Sequence, residues 1–141
     1  MQINLTQALK EKFPNSMFGS LIIRNIPNRK GHETLERQKR DLENKIREAN
    51  LVMDKDKMIK YYDTYFKMWK KTYPIEYQIN TIKSGRKFPK VSVLVDCMFL
   101  AEIKDRILTS GHDLDEIQGD LNFDISEDGE KYLKLNGQEQ T

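Results

Sequence analysis

"FPKVSVLVDCMFLAEIKDRIL", Phe88 to Leu108, decides how the rest of the chain is read. From Val93 to Ala101 it is apolar nearly all round, the pattern of a helix buried on most of its surface. Pro89 ends regular structure just ahead, so the helix predicted from Val91 onward starts a new element. Asp96 sits inside the apolar run. A carboxylate there is costly unless it is paired or hydrogen-bonded, which leaves two roles: a structural capper of neighbouring backbone, or part of a pocket.

On the N-terminal side, "GRKFPK" (Gly85 to Lys90) is a linker in which Arg86, Lys87 and Lys90 surround Phe88. Three cations around one exposed aromatic make it a candidate for contact with a phosphate backbone. Thr72 to Gly85 predicts a helix with Pro74 in its first turn, Ile75, Ile79 and Ile82 on one face and Ser84-Gly85 as its stop. Before it, Asp54 can cap a helix in which Met58, Tyr62, Tyr65, Phe66 and Trp69 make a broad aromatic stripe. Lys57, Lys60, Lys67, Lys70 and Lys71 lie in the same stretch. Interleaved rings and lysines can stack bases and hold phosphates, but rings at helical spacing more often fill a core, and core is the expectation here.

Glu33 to Ala49 steps Leu35, Leu42, Ile46 and Ala49 by helical multiples with charge on the other faces, an amphipathic helix lying on the surface. Residues 18 to 26, "FGSLIIRNI", are bounded by Pro14-Asn15 and Pro27-Asn28 and read as a buried strand. Toward the C-terminus, "DLNFDIS" alternates Leu121, Phe123 and Ile125 with polar residues, a half-buried strand. Asp128-Gly129 supplies a turn, "KYLKL" a returning strand and Asn136-Gly137 another turn signal. That second turn calls for one more strand, yet the sequence stops at Thr141. One strand, several helices and then a strand cluster assign the α+β class.

The chain has 141 residues, room for one domain, residues 1–141. Its 38% apolar and 33% charged residues describe a folded protein with a heavily solvated surface, since disorder would need fewer aromatics and more net charge than +2. No apolar run approaches the length of a membrane span, and "MQINLTQALKEKF" lacks a basic leader and an apolar core. With Cys97 as the only cysteine, an internal disulfide is excluded and a reducing, cytoplasmic setting fits. Asn4-Leu5-Thr6 matches a glycosylation acceptor, a coincidence in a chain without an export signal.

Charge is unevenly placed. Lys57 to Lys90 is predominantly basic, whereas Asp96 to Glu130 is predominantly acidic. The first block can meet phosphates, with Lys70, Lys71, Arg86, Lys87 and Lys90 as candidates, and the second would repel them. Blocks of this kind are most often only solvated faces.

"SGHDLDEIQGDL", Ser110 to Leu121, gathers a histidine and several carboxylates. It fails as a calcium loop: counted from Asp113, the fifth position is Ile117, the sixth Gln118 and the twelfth Asp124. Zinc needs more imidazole or thiolate than His112 offers, with His32 far off. Ser110 and His112 do not by their spacing form a catalytic dyad, and no nucleophile elbow or phosphate-binding glycine loop is present.

The combination "FPKVSVLVDCMFL", "GHDLDEIQGDLNFD" and "GEKYLKLNGQEQ" resembles the B3/B4 domain of the phenylalanyl-tRNA synthetase beta subunit, and free-standing B3/B4-domain proteins still more closely. Val95-Asp96, Asp113-Leu114-Asp115, Gly119-Asp120, Gly129-Glu130 and Leu135-Asn136-Gly137 match its places in order. The better match runs from about Lys57 to Gln140, with weaker agreement in "FPNSMFGSLIIRNIPN".

The resemblance implies helices packed on a mostly antiparallel sheet, and a proofreading module that hydrolyses a mischarged aminoacyl-tRNA with a positioned water. It implies tRNA or aminoacyl-tRNA as partner and neither a metal nor an organic cofactor. A pocket that hydrogen-bonds a side-chain hydroxyl can discriminate strongly, because a competitor leaves buried polar groups unpaired. Asp96, Ser110, Gly111, His112, Asp113 and Asp120 are its candidates here.

The departures bear on catalysis. Ser110 stands where the family has histidine, His112 replaces an aromatic residue, and Met98-Phe99 replaces a Thr-Asn pair. The acidic residue that reads the substrate hydroxyl in the family falls beyond Thr141, so the expectation is a domain truncated at its C-terminus, and no catalytic residue is carried over. Asp113 and Asp115 then have a structural role open to them, tying down a turn through backbone hydrogen bonds, with Gly119 permitting a tight approach before the strand. Three functions stay open: deacylation of mischarged tRNA in trans, non-catalytic recognition of tRNA or an amino acid, and a protein-interaction domain.

Overall fold

The computed structural model describes residues 1–48, 57–133 and 137–140. Its elements in chain order are β1 (Ile3–Leu5), α1 (Gln7–Lys12), α2 (Glu33–Glu48), α3 (Lys57–Met68), α4 (Pro74–Lys83), α5 (Val93–Asp105), β2 (Leu121–Phe123), β3 (Tyr132–Leu133) and β4 (Glu139–Gln140). The protein is of mixed α+β character and mostly helical, with one parallel and one antiparallel two-stranded sheet. The expected cap Asp54, and Ala49, Lys134, Leu135 and Asn136, lie outside the described residues. No helix among the described residues is long and apolar enough to cross a membrane.

Two compact units emerge, one made of Met1–Ile23 with His112–Thr141, the other of Arg24–Gly111. In the second, α4 follows its sequence closely. Pro74 opens it, and Ile75, Ile79 and Ile82 are buried on one stripe. Gly85, at φ 93°, closes it: its N–H donates to the Ile82 carbonyl and the Arg86 N–H to the Thr81 carbonyl, the paired bonds of a left-handed helix stop. Ile46 from α2, Ile59 from α3, Tyr73, Phe88 and Ile103 from α5 complete the core.

Three expectations for this unit change. α2 does not simply lie on the surface, because Lys39 and Glu43 share the inward face with Leu35 and Ile46 and are buried with them. α5 is not buried nearly all round. Asp96, Glu102 and Ile103 are its buried residues, while Val93, Leu94, Val95, Met98, Phe99 and Leu100 are half-buried and Cys97 exposed. Phe88 is not an exposed ring among cations but a core residue, 5% exposed.

In the other unit, β1 pairs parallel with β2, Ile3 opposite Leu121 and Leu5 opposite Phe123. Thr6 caps α1 by accepting the Leu9 N–H and donates its hydroxyl to Asp124 Oδ1 at 2.6 Å. The turn at Asp128-Gly129 forms, with Gly129 at φ 85°. The strand after it does not return on β2, however. β3 pairs antiparallel with β4, which supplies the further strand that the reading of Asn136-Gly137 found missing.

Residues 18–26 are not a buried strand. Leu21 is 83% exposed, and none of the strands among the described residues pairs with this run. Asn25 takes a left-handed φ of 56°, which interrupts the extended course that a strand needs. Phe18 packs its ring on Phe123, centroids 4.8 Å apart.

Candidate nucleic-acid interface

α3 ends in a left-handed turn built without glycine. Lys70 has φ 53°, its N–H donates to the Lys67 carbonyl, and the Lys71 N–H donates to the Phe66 carbonyl. This is the same double-bonded stop that Gly85 makes after α4, here with a lysine in the glycine place. The turn sends the chain through Thr72 and Tyr73 into α4. Tyr73 is fully buried, stacks on Tyr62 at 4.9 Å and donates its hydroxyl to the Arg106 carbonyl at 2.7 Å, so the junction is anchored in the core.

Above that anchor lies an open depression of about 440 Å³. It is lined by Lys67, Lys70 and Lys71, by Asp63 and Glu76, and by Thr72, Tyr77 and Asn80. Lys67 binds Asp63 at 2.6 Å. The hydrogen bond and charge of Asp63 hold the Lys67 ammonium above its ordinary range. Lys70 and Lys71 are exposed. An anion with several oxygens can be met here by charge and by hydroxyl and amide donors together.

The second group of cations is held from beneath. Arg47 of α2 donates to the carbonyls of Ile82 and Arg86, the Phe88 N–H donates to Glu43 Oε1 at 2.6 Å, and Lys39 donates to the Pro89 carbonyl at 2.9 Å. The loop backbone is therefore tied to α2 at three points, and Arg86, Lys87 and Lys90 are exposed. Lys90 runs past Gly31, where an added Cβ would stand 3.2 Å from Lys90 Cε. These contacts fix a path for the loop even though Phe88 itself points inward.

Of the pocket candidates, Asp96 is closed inside the helical unit. Its Oδ2 accepts from Lys39 Nζ at 2.7 Å and its Oδ1 from the Val91 N–H at 3.0 Å. Burial pushes this carboxyl up, but the bonds from Lys39 and from the Val91 and Ser92 backbone outweigh it and hold it below its ordinary range. Asp96 is thus the capper of neighbouring backbone that its place in the sequence allowed. Ser110 and Gly111 are exposed at the end of the same unit, Gly111 beside Met98, whose Sδ an added Cβ would approach to 3.2 Å.

His112, Asp113 and Asp120 belong to the other unit. Asp113 accepts the Asp115 N–H at 3.1 Å, the turn-tying bond expected of it. Asp120 accepts the Gln2 N–H at 2.6 Å and lies 3.9 Å from the terminal ammonium, so it braces β1 beside β2. Among the described residues, no group of three or more His, Cys, Asp or Glu could hold a metal ion.

The rings of α3 divide. Tyr62 and Phe66 pack against the core, whereas Met58, Tyr65 and Trp69, expected there as well, are 40%, 40% and 53% exposed. Thr72, Tyr77 and Asn80 were missed as site residues, and only the spacing of Tyr77 on the polar face of α4 could have marked one of them. No family model matches the chain, and comparison with curated proteins and with solved structures gives no match.

Proposed function

We propose that this chain is a tRNA-engaging module of the B3/B4 kind, in which helices pack on a mostly antiparallel sheet, and that it docks the phosphate backbone through Lys70, Lys71, Arg86, Lys87 and Lys90. One observation carries the reading: a turn anchored through Tyr73 fixes the backbone of Lys70 and Lys71 beside an open depression and leaves both side chains exposed to a ligand. A backbone already in place spares part of the ordering entropy when these lysines meet a phosphate.

Deacylation in trans belongs to the same proposal. A water would add to the ester carbonyl carbon, the bond from that carbon to the terminal ribose oxygen would break, and that oxygen would take a proton from the water to become a hydroxyl, freeing the amino acid as its carboxylic acid. A non-catalytic recognition module is the second reading, and Asp96 favours it, because that carboxylate is already taken up by Lys39 and two backbone groups.

Binding of tRNA to the full chain across a salt series tests the docking. Affinity should fall steeply with salt, and the Lys70→Glu/Lys71→Glu and Arg86→Glu/Lys87→Glu/Lys90→Glu variants should each flatten the slope. Unchanged affinity in both variants would refute the surface. A deacylation assay on a panel of mischarged tRNAs separates the catalytic from the non-catalytic form.

A further inference from the structure

The solvent side of α3 carries two stripes. At about 100° per residue, Met58, Tyr61, Tyr65 and Met68 line up along one, next to the buried stripe of Ile59, Tyr62 and Phe66. Their exposures, 40%, 70%, 40% and 67%, are far above what core packing leaves to such residues. Trp69 extends the stripe past the helix end, edge-on to Tyr65 with centroids 6.5 Å apart. Lys57, Lys60 and Lys67 run along the neighbouring face, and Lys70 and Lys71 follow directly. Between Lys57 and Lys71 the only acidic residue is Asp63, which Lys67 engages.

We infer that this face of α3 binds an unpaired stretch of nucleic acid, with bases laid on Tyr61, Tyr65 and Trp69 and the sugar-phosphate chain along the lysines. This rests on the phosphate-contact reading above and names the form of nucleic acid it takes. The ligand is a polyanion because the flanking charge is almost wholly positive. It is unpaired because only unpaired bases offer their faces to rings. Tyr61 and Tyr65 are one turn apart, about 6 Å along the axis. Bases stacked on one another are only about 3.4 Å apart, so each base is splayed onto its own ring.

Trp69 is the chain's single tryptophan, so its fluorescence reports on this face alone. The full chain is titrated at low salt with a single-stranded RNA of about eight nucleotides, with the blunt duplex of the same sequence, and with poly-glutamate. The single strand should quench Trp69 and bind at least tenfold tighter than the duplex, and poly-glutamate should leave the emission unchanged. Tyr61→Leu and Tyr65→Leu should each weaken single-strand binding by roughly five- to a hundredfold, and Tyr61→Leu, at the more exposed position, should do so without shifting the unfolding midpoint.

Equal quenching by duplex or poly-glutamate, or leucine variants that bind like the parent, would overturn the inference. Leucine keeps the stripe apolar, so undiminished binding would mark a generic greasy contact. Salt-sensitive tRNA binding that survives both leucine changes would sink this inference alone and leave the phosphate surface standing. Loss of tRNA binding in every form, with single-strand quenching retained, would sink the tRNA reading alone.

Discussion

Lys39 Nζ lies 2.7 Å from Asp96 Oδ2, joining α2 to α5 through two side chains with 1% and 0% of their surface exposed. The ammonium also donates to Glu36 and to the Pro89 carbonyl, so each of its protons has an acceptor. Removing one partner from such a pair strands a buried charge and costs about 3–5 kcal/mol. We expect that loss in Asp96→Asn and in Lys39→Met. The double variant should be less destabilised than the sum, by about 1–3 kcal/mol. Urea unfolding of the four proteins completes the cycle, and additive losses would show that the two groups act separately.

The same pair sets a pH window. Burial pushes the Lys39 ammonium down, but Asp96 and Glu36 outweigh it and hold it above its ordinary range, while Asp96 is held below its own. The Asp96 contribution is therefore complete above the unfolded value of about 3.9 and is lost as pH falls through the lower folded one. That of Lys39 is complete below about 10.4 and lost as pH rises through the higher folded value. Unfolding midpoints should form a plateau that declines on both sides. Asp96→Asn should make the acid limb shallower and Lys39→Met the alkaline limb, which urea titrations at stepped pH will read.

Glu43 and Phe88 make a local prediction. The Phe88 amide donates to a buried carboxylate that also meets Arg40 at 2.8 Å and Arg47 at 3.6 Å. Hydrogen exchange at that amide should be slow in the parent and fast in Glu43→Ala, which leaves a buried donor unpaired at a cost of about 1–3 kcal/mol. Glu43→Gln keeps an acceptor and should fall between them. Phe88→Ala should cost about 3–5 kcal/mol, a loss that a solvent-facing ring would not show.

Lys70→Gly should split stability from binding. The left-handed φ of 53° strains a lysine and suits glycine. We expect the variant to gain up to about 1 kcal/mol in urea unfolding, after the entropy that glycine adds to the open chain, and to lose tRNA affinity. Lys70→Ala should lose affinity with no such gain. A glycine variant that binds as the parent does would remove Lys70 from the surface.

Much of this was written locally. α4 was legible because its isoleucines, Pro74 and Gly85 act within one helix and its ends. The inward seats of Lys39 and Glu43 were also in the spacing, four apart between Leu35 and Ile46, but a search for apolar periodicity passes over charged residues. Their partners could not be read at all, since Asp96 is 57 residues from Lys39. Residues 18–26 misled for a related reason: an apolar run states a preference for burial, while a strand requires a neighbour that the run does not specify. The face of α3 was hidden because it holds two ring stripes, of which the core takes only one.

Ile3 sits opposite Leu121, so the first strand of the chain is completed by residues made more than a hundred positions later. At about 5–20 residues per second, a ribosome leaves β1 waiting on the order of ten seconds for its mate. Over the same interval Arg24–Gly111 emerges with its own core entire. Assembly during synthesis therefore sets the unit Arg24–Gly111 first, and the unit that holds β1 and β2 closes after it.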